Sequence, residues 1–290
     1  MHSQTDDSFD RPSVLLMLGS VVLFAVNTLL IRAISLHVPA ADGWLATFFR
    51  GFVGLIVVYA IFGRGRGFVP SRLFASRLIL TRGIVGALSI VAFYITIVEL
   101  GAARAVILNL TYPIFATVIA ACWLKEKVSR SAIIWMAIGF AGLVIFLSDG
   151  GKLFRPSPYD LLALAGAIGA GWVVVIIRRL RREEHPATIY AAQAFFSLLV
   201  AAPVAVKLPS LPELAWWGLI AGGVIVTIAQ LIMTRAYQFM SVSRGSALQM
   251  LLPLVTAAGG YLWFGESLDP LEITGGALTL LATWRVVVAR

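Results

Sequence analysis

The chain has 290 residues, of which 60% are hydrophobic and only 13% are charged, with a formal net charge of +9. Soluble globular domains carry about 25% charged residues, so this composition excludes a soluble enzyme and a disordered protein. The single cysteine, Cys122, excludes an intramolecular disulfide scaffold. In a membrane protein the positive charge follows from the Lys and Arg of cytoplasmic loops. We therefore expect an integral membrane protein whose partners are the lipid bilayer and a small-molecule substrate, and no nucleic acid.

Residues 1–12 are polar and predict a cytoplasmic tail. They do not start a signal peptide, because the apolar run that follows, from Ser13 to Ile31, is too long for one. Apolar runs of spanning length predict ten transmembrane helices, at 13–33, 43–62, 78–98, 103–122, 131–148, 160–177, 188–206, 214–234, 243–263 and 271–288. The remaining residues form short loops and tails and leave no room for a soluble catalytic domain.

The basic residues near the predicted helix ends divide unevenly, with 17 on one side of the membrane and five on the other. Arg82 is counted among the 17, whereas Arg50 lies inside the second predicted span and belongs to neither side. Because cytoplasmic loops are enriched in Lys and Arg, both termini are expected in the cytoplasm. The expected location is the cell inner (plasma) membrane, which the chain crosses several times.

An internal repeat emerges when the chain is compared with itself at an offset of 140 residues. Uncommon residues then coincide: Arg104 with Arg244, Pro113 with Pro253, Trp123 with Trp263, and Glu126 with Glu266. The offset predicts two repeats, at 13–150 with helices 1–5 and at 151–290 with helices 6–10. Since five is odd, the two halves must cross the membrane in opposite directions. Such an inverted repeat is typical of secondary transporters, which bind substrate near the midplane between the halves.

The chain resembles the drug/metabolite transporter superfamily, specifically its ten-helix EamA-type members. The resemblance rests on Arg50, on the stretch from Ala92 to Pro113, on Glu126, and on the second stretch from Ala236 through Pro253 to Glu266. Among members it is most similar to the YddG-type exporters of aromatic and other amino acids. The resemblance implies an all-α fold and export of small organic metabolites by alternating access. One departure is Asn27, where many members have a Trp-Gly pair.

Polar and aromatic residues inside the predicted spans are candidates for a substrate cavity, since polar groups in membrane helices usually face the bundle interior. They are Asn27, Arg50, Tyr94, Asn109, Tyr112, Trp172, Gln193, Gln230 and Gln249. Each has a structural alternative as well. Amides can serve as interhelical hydrogen-bonding groups, Tyr94 and Trp172 can pack, and Arg50 can pair with Asp42 or Glu99 or reach to the outer surface.

Two prolines and three glutamates complete the candidates. Pro113 and Pro253 interrupt the fourth and ninth spans and free the carbonyls of Asn109 and Gln249. Glu126 and Glu266 recur at matching helix ends, where they are structural contacts or parts of a gate. All fourteen acids lie in tails, loops or end turns. The spans therefore contain no carboxylate relay. This predicts facilitated diffusion, with proton exchange through Glu99 as the alternative.

No enzymatic motif is present. There is no Walker A loop and no Gly-x-Ser-x-Gly turn, and the three histidines lie in the tail and in loops on opposite faces. We therefore expect a transporter without an ATP site, cofactor or metal, functioning as a monomer, with a dimer left open. A broad-specificity drug efflux carrier and a lipid scramblase or intramembrane enzyme remain as alternatives.

Overall fold

The computed structural model describes residues 11–38, 41–65, 67–100, 105, 108–147, 157–264 and 270–288, and the regular structure in these ranges is helical. The first half contains α1 (Arg11–His37), α2 (Gly43–Phe62), α3 (Arg77–Leu100), α4 (Tyr112–Ile119) and α5 (Arg130–Leu147). The second contains α6 (Pro158–Leu180), α7 (Pro186–Ala201), α8 (Glu213–Ala236), α9 (Val242–Gln249), α10 (Leu252–Phe264) and α11 (Pro270–Val288). A π-helical turn, Ala120–Leu124, continues α4, and 3-10 helices cover Pro70–Phe74 and Ala202–Ser210.

Several of these helices have the length and composition of membrane spans. Five segments qualify: Arg11–Ile31, Gly43–Phe62, Pro158–Leu180, Pro186–Val206 and Glu213–Ala236. Shorter apolar helices cover Tyr112–Leu124, Arg130–Phe146 and Ile273–Val288. A bilayer requires about 20 apolar residues per helix, so the chain is a multi-pass membrane protein. The count of ten spans stays a prediction.

The predicted ninth span is wrong as a single continuous helix. The run 243–263 is divided into α9 and α10, with Met250 and Leu251 in a turn between them. Pro253 occupies the first turn of α10, where its missing N–H has no cost because that group has no partner within the helix. The predicted fourth span, 103–122, is described from residue 108 onward, and there α4 begins at Tyr112, one residue before Pro113.

The two helix breaks share the offset of the sequence repeat. The amide of Thr111 donates to the carbonyl of Leu108 at 3.2 Å, and the amide of Leu251 donates to that of Leu248 at 3.1 Å. α4 and α10 then start at Tyr112 and Leu252, which are also 140 residues apart. The same local structure is thus built twice.

The main helix contacts link the two halves of the chain and exchange when the halves are interchanged. α1 packs against α8 and α10, and correspondingly α6 packs against α3 and α4. α2 packs against α7 and α8, as α7 packs against α2 and α3, while α5 packs against α11. Small residues allow close approach at this last contact: a side-chain carbon on Gly142 would lie 2.9 Å from the carbonyl oxygen of Gly275.

One end of the bundle, which we call the basic end, is formed by the loops at 63–76, 125–129, 181–185 and 237–241. Side chains cross between these loops: Thr188 donates to the carbonyl of Gly67 at 3.2 Å, and Arg72 contacts Glu184 at 3.2 Å. The loops carry much of the larger basic group, including Arg64, Arg72, Lys125, Lys127, Arg181 and Arg182. This end is the one for which the sequence predicts a cytoplasmic location.

Candidate functional site

A polar cluster in the bundle is built around α7. Tyr190 and Gln193 lie one turn apart on this helix and are 0% and 5% exposed. α7 packs against α2, α3 and α8, and each of these helices contributes polar side chains. We call the resulting cluster the Arg50–Arg82 centre; it consists of Arg50, Arg82, Tyr190, Gln193, Thr227 and Gln230.

Arg50 joins α2 to α8 in this centre. Its Nη2 donates to Oε1 of Gln230 at 3.0 Å, and its carbonyl accepts from the Tyr190 hydroxyl at 3.3 Å. The Tyr190 hydroxyl also lies 3.0 Å from Oγ1 of Thr227. Nε of Arg50 is buried and has no hydrogen-bond partner among the described residues. Arg50 therefore keeps an unused donor inside the protein.

The side-chain hydrogen bond of Arg50 is thus made to an amide, not to either carboxylate expected from the sequence. Asp42 caps α2 by accepting from the amide of Leu45 at 3.0 Å. Glu99, near the end of α3, is exposed. The carboxylates stay at the helix ends because an ion pair deep in the bundle would have to offset the desolvation of both charges.

Arg82 is the member of the centre that sequence reasoning missed. We expected it among the basic residues at the cytoplasmic end, but it lies in the second turn of α3 with 0% exposure. Its Nη2 donates to Oε1 of Gln193 at 2.7 Å, while Nε and Nη1 are buried without a partner in the described part of the chain. The neighbouring Gly83 and Gly86 were the available signal, because they mark a face of α3 that packs closely on α7.

The centre concentrates positive charge. The guanidiniums of Arg50 and Arg82 are close enough to interact electrostatically, and Tyr190 interacts with both. Their hydrogen-bond partners, Gln230 and Gln193, are neutral. Buried charges are normally paired, and guanidinium groups bind carboxylates with two parallel hydrogen bonds. The centre is therefore chemically suited to an anionic ligand.

A second group of contacts, which we call the basic-end latch, ties four segments together. The Glu126 carboxylate accepts from Nε of Arg178 at 3.3 Å and from the amide of Val242 at 3.0 Å. Arg178 also donates to the carbonyls of Tyr237 and Gln238, at 2.8 and 2.5 Å. Val242 begins α9, where a carboxylate is favoured by the helix dipole. The latch thus connects the ends of α4, α6 and α8 to the start of α9.

The other candidates lie elsewhere in the bundle. Gln249, 5% exposed, donates to Sδ of Met17 at 3.1 Å and to Oγ of Ser20 at 3.3 Å, both on α1. Trp172 stacks on Trp123 with ring centroids 4.9 Å apart. The remaining candidates that the structure describes are Asn27 on α1, half-buried, and Asn109, Tyr112 and Pro113 at the first break. The side chain of Tyr94 and the whole of Glu266 lie outside the described residues.

An apolar cavity of about 320 Å³ lies between α1 and α10, lined by Val26, Leu29, Leu30, Ala33 and Trp263. It presents no charged side chain and is distinct from the Arg50–Arg82 centre. Within the described ranges no three His, Cys, Asp or Glu residues come together as metal ligands.

A membrane-embedded helix bundle with a cationic centre and a closed basic end defines a multi-pass transporter. The model of the EamA-like transporter family matches residues 11–148 and 157–288. The chain therefore belongs to this family, within the drug/metabolite transporter superfamily. It is a transporter and not an enzyme.

Known relatives carry different solutes. The chain is 29% identical over 283 residues to the pseudopaline exporter of Pseudomonas aeruginosa, covering 94% of each protein. It is 26% identical over 193 residues to the threonine/homoserine exporter of Escherichia coli, covering 62% of this chain and 61% of that protein. It is 27% identical over 187 residues to a riboflavin transporter of Vibrio cholerae, covering 59% and 60%.

A solved crystal structure shares the fold, with a TM-score of 0.76 at 18% identity over 94% of this chain and 95% of that one.

Proposed function

We propose that this protein exports small organic metabolites that carry a carboxylate, amino acids including aromatic ones among them, across the cell inner membrane. The observation that carries the proposal is Arg50, a guanidinium inside the bundle that is bonded to the amide of Gln230 and keeps a buried, unused Nε. Similarity to the threonine/homoserine exporter supports the amino-acid class. Aromatic amino acids rest on the family resemblance of the sequence.

The proposed architecture has ten spans in two inverted halves, 13–150 and 151–290, with residues 1–12 and the C-terminus in the cytoplasm. The exchange of helix contacts between the halves and the two breaks at Tyr112 and Leu252 support it. A reporter enzyme fused after Arg290 tests the orientation. We expect a cytoplasmic signal, and a periplasmic signal would contradict the assignment.

Alternating access would require the basic end to open. The contacts of Glu126 with Arg178 and Val242 hold that end closed, so we assign the latch to an inner gate. Breaking it would admit solute from the cytoplasm, and restoring it would accompany release on the other side. Without a carboxylate relay in the spans, we expect the solute to move down its own gradient.

Reconstitution in liposomes tests this function against drug efflux and lipid scrambling. Uptake of labelled threonine is measured with competing amino acids, their decarboxylated amines and cationic drugs, and a lipid-flip assay is run on the same preparation. We expect competition by solutes that bear a carboxylate and no flip above that of empty liposomes. Competition by cationic drugs alone, or lipid flip without solute uptake, would contradict the proposal.

A further inference from the structure

We infer that the preferred solute carries two carboxylates, and that Arg82 binds the second one while Arg50 binds the first. This inference rests on the proposed function, because it takes the Arg50–Arg82 centre to be the substrate site. It narrows the substrate class from carboxylates in general to organic dianions, with acidic amino acids preferred among the amino acids.

The hydrogen-bonding capacity of Arg82 supports a ligand. A guanidinium has five N–H donors, and in the described structure Arg82 uses its Nη2 on Gln193 while Nε and Nη1 are buried without partners. Leaving a buried donor unpaired costs about 1–3 kcal/mol, and more when the group is charged. An arginine that served only to join α3 to α7 would be expected to satisfy these donors with protein groups.

The charge of the centre sets the charge of the ligand. Arg50 and Arg82 contribute two positive charges, and their side-chain hydrogen-bond partners, Gln230 and Gln193, contribute none. One carboxylate would neutralise one guanidinium and leave the other buried and unpaired. Two carboxylates on one molecule would neutralise both. The ammonium group of a neutral amino acid, by contrast, would be repelled by the second guanidinium.

The position of the centre fits uptake from the basic end. Gly83 and Gly223, 140 residues apart, make equivalent close contacts: added side-chain carbons would lie 2.8 Å from the carbonyl of Ala192 and 3.1 Å from that of Phe49. Arg82 precedes Gly83 at the start of α3, and Gln230 follows Gly223 toward the end of α8. Both partners therefore lie toward the basic end, behind the latch, where a cytoplasmic solute would arrive first.

Three matched probes test the inference. Succinate carries two carboxylates, succinamate carries one carboxylate and one amide, and succinamide carries none, at nearly constant size. The full-length protein in detergent is unfolded thermally with each probe at equal ionic strength, and apparent dissociation constants are obtained from the shifts of Tm. Equal ionic strength is needed because salt screens charge interactions. Sulfate serves as a fourth probe.

We expect succinate to bind at least tenfold more tightly than succinamate, and succinamide to cause no shift. The Arg82→Gln variant should lose the preference and retain succinamate binding, whereas Arg130→Gln, at the exposed start of α5, should behave as wild type. If Arg82→Gln does not unfold cooperatively, Arg82→Lys is used. Lysine keeps the charge without the paired donors, so the preference should fall several-fold.

Each contrary result is distinguishable. Equal binding of succinate and succinamate would overturn the dianion inference and leave the proposed carboxylate transport intact. Binding of neither would contradict both. Protection by sulfate equal to that by succinate would identify an adventitious ion only and overturn the dicarboxylate assignment. An unchanged preference in a folded Arg82 variant would remove Arg82 from the site.

Discussion

Arg82 and Gln193 are joined by a 2.7 Å hydrogen bond between Nη2 and Oε1, and both side chains are buried between α3 and α7. A short bond to an amide orients the guanidinium without neutralising it. The same arrangement joins Arg50 to Gln230 between α2 and α8. The bundle thus holds two oriented cations, which is the basis of the function proposed above.

Gly54 is expected to control the geometry of the centre. A side-chain carbon at this position would lie 2.5 Å from the Tyr190 hydroxyl, so Gly54→Ala should displace Tyr190 from Arg50 and Thr227. We expect a loss of about 1–3 kcal/mol in the free energy of unfolding, as is typical of overpacking, together with slower transport. Gly19→Ala on α1 is the matched control, because nothing lies within 4 Å of the added carbon. Equal stability and transport in the two variants would contradict this role of Gly54.

Glu126 is expected to stabilise the closed basic end. Glu126→Gln removes the charge that binds Arg178, in a pair whose side chains are only 16% and 13% exposed. Hydrogen bonds to charged groups contribute about 1.5–3 kcal/mol, so thermal unfolding should shift to lower temperature and uptake should change. Glu183→Gln breaks the exposed pair with Arg179, worth about 0.5 kcal/mol or less, and serves as control. If the two variants unfold and transport alike, the gate assignment fails.

His185 is expected to make stability depend on pH. Burial lowers the pKa of its imidazole, and the nearby Arg181 and Arg235 lower it further. Its Nδ1 accepts from the amide of Ala187 at the start of α7, which requires an unprotonated nitrogen. The unfolded chain, with a pKa of about 6.5, therefore binds the proton more readily than the folded protein. Stability should be fully present above pH 6.5 and fall below it.

His185→Asn tests this dependence, since asparagine also caps a helix N-terminus. The variant should show a smaller decrease of Tm between pH 7.5 and 5.5 than wild type. His37→Asn, at the exposed end of α1, should keep the wild-type decrease. A decrease in His185→Asn that equals that of wild type would contradict the role of His185.

The sequence predicted most of the helices because membrane spans are long, apolar and bounded by charge. The predicted span 43–62 coincides with α2. The position of Pro253 was predictable, but the division of 243–263 into two helices was not. Whether a proline bends a helix or restarts it depends on how the neighbouring backbone groups are satisfied, and this is settled by packing.

The candidate site was predicted in part. Arg50 stood out because a charge in the middle of an apolar run is costly, and Gln193 and Gln230 stood out as amides in membrane helices. Arg82 did not, since it lies within two turns of a helix end among other basic residues. Its burial depends on α7 approaching Gly83 and Gly86 closely. That contact joins residues more than 100 positions apart, which no local pattern reveals.

The central claim, carboxylate recognition by Arg50, is tested most directly by comparing uptake of threonine with uptake of its decarboxylated amine in liposomes that contain wild type or Arg50→Gln. Losing a charge-assisted hydrogen bond costs about 1.5–3 kcal/mol, equivalent to about 10–100-fold in affinity. We expect Arg50→Gln to reduce threonine uptake by that factor and to leave uptake of the amine nearly unchanged, with Arg130→Gln equal to wild type for both. An equal loss of the two solutes by a folded Arg50→Gln protein would contradict the claim and assign Arg50 a structural role.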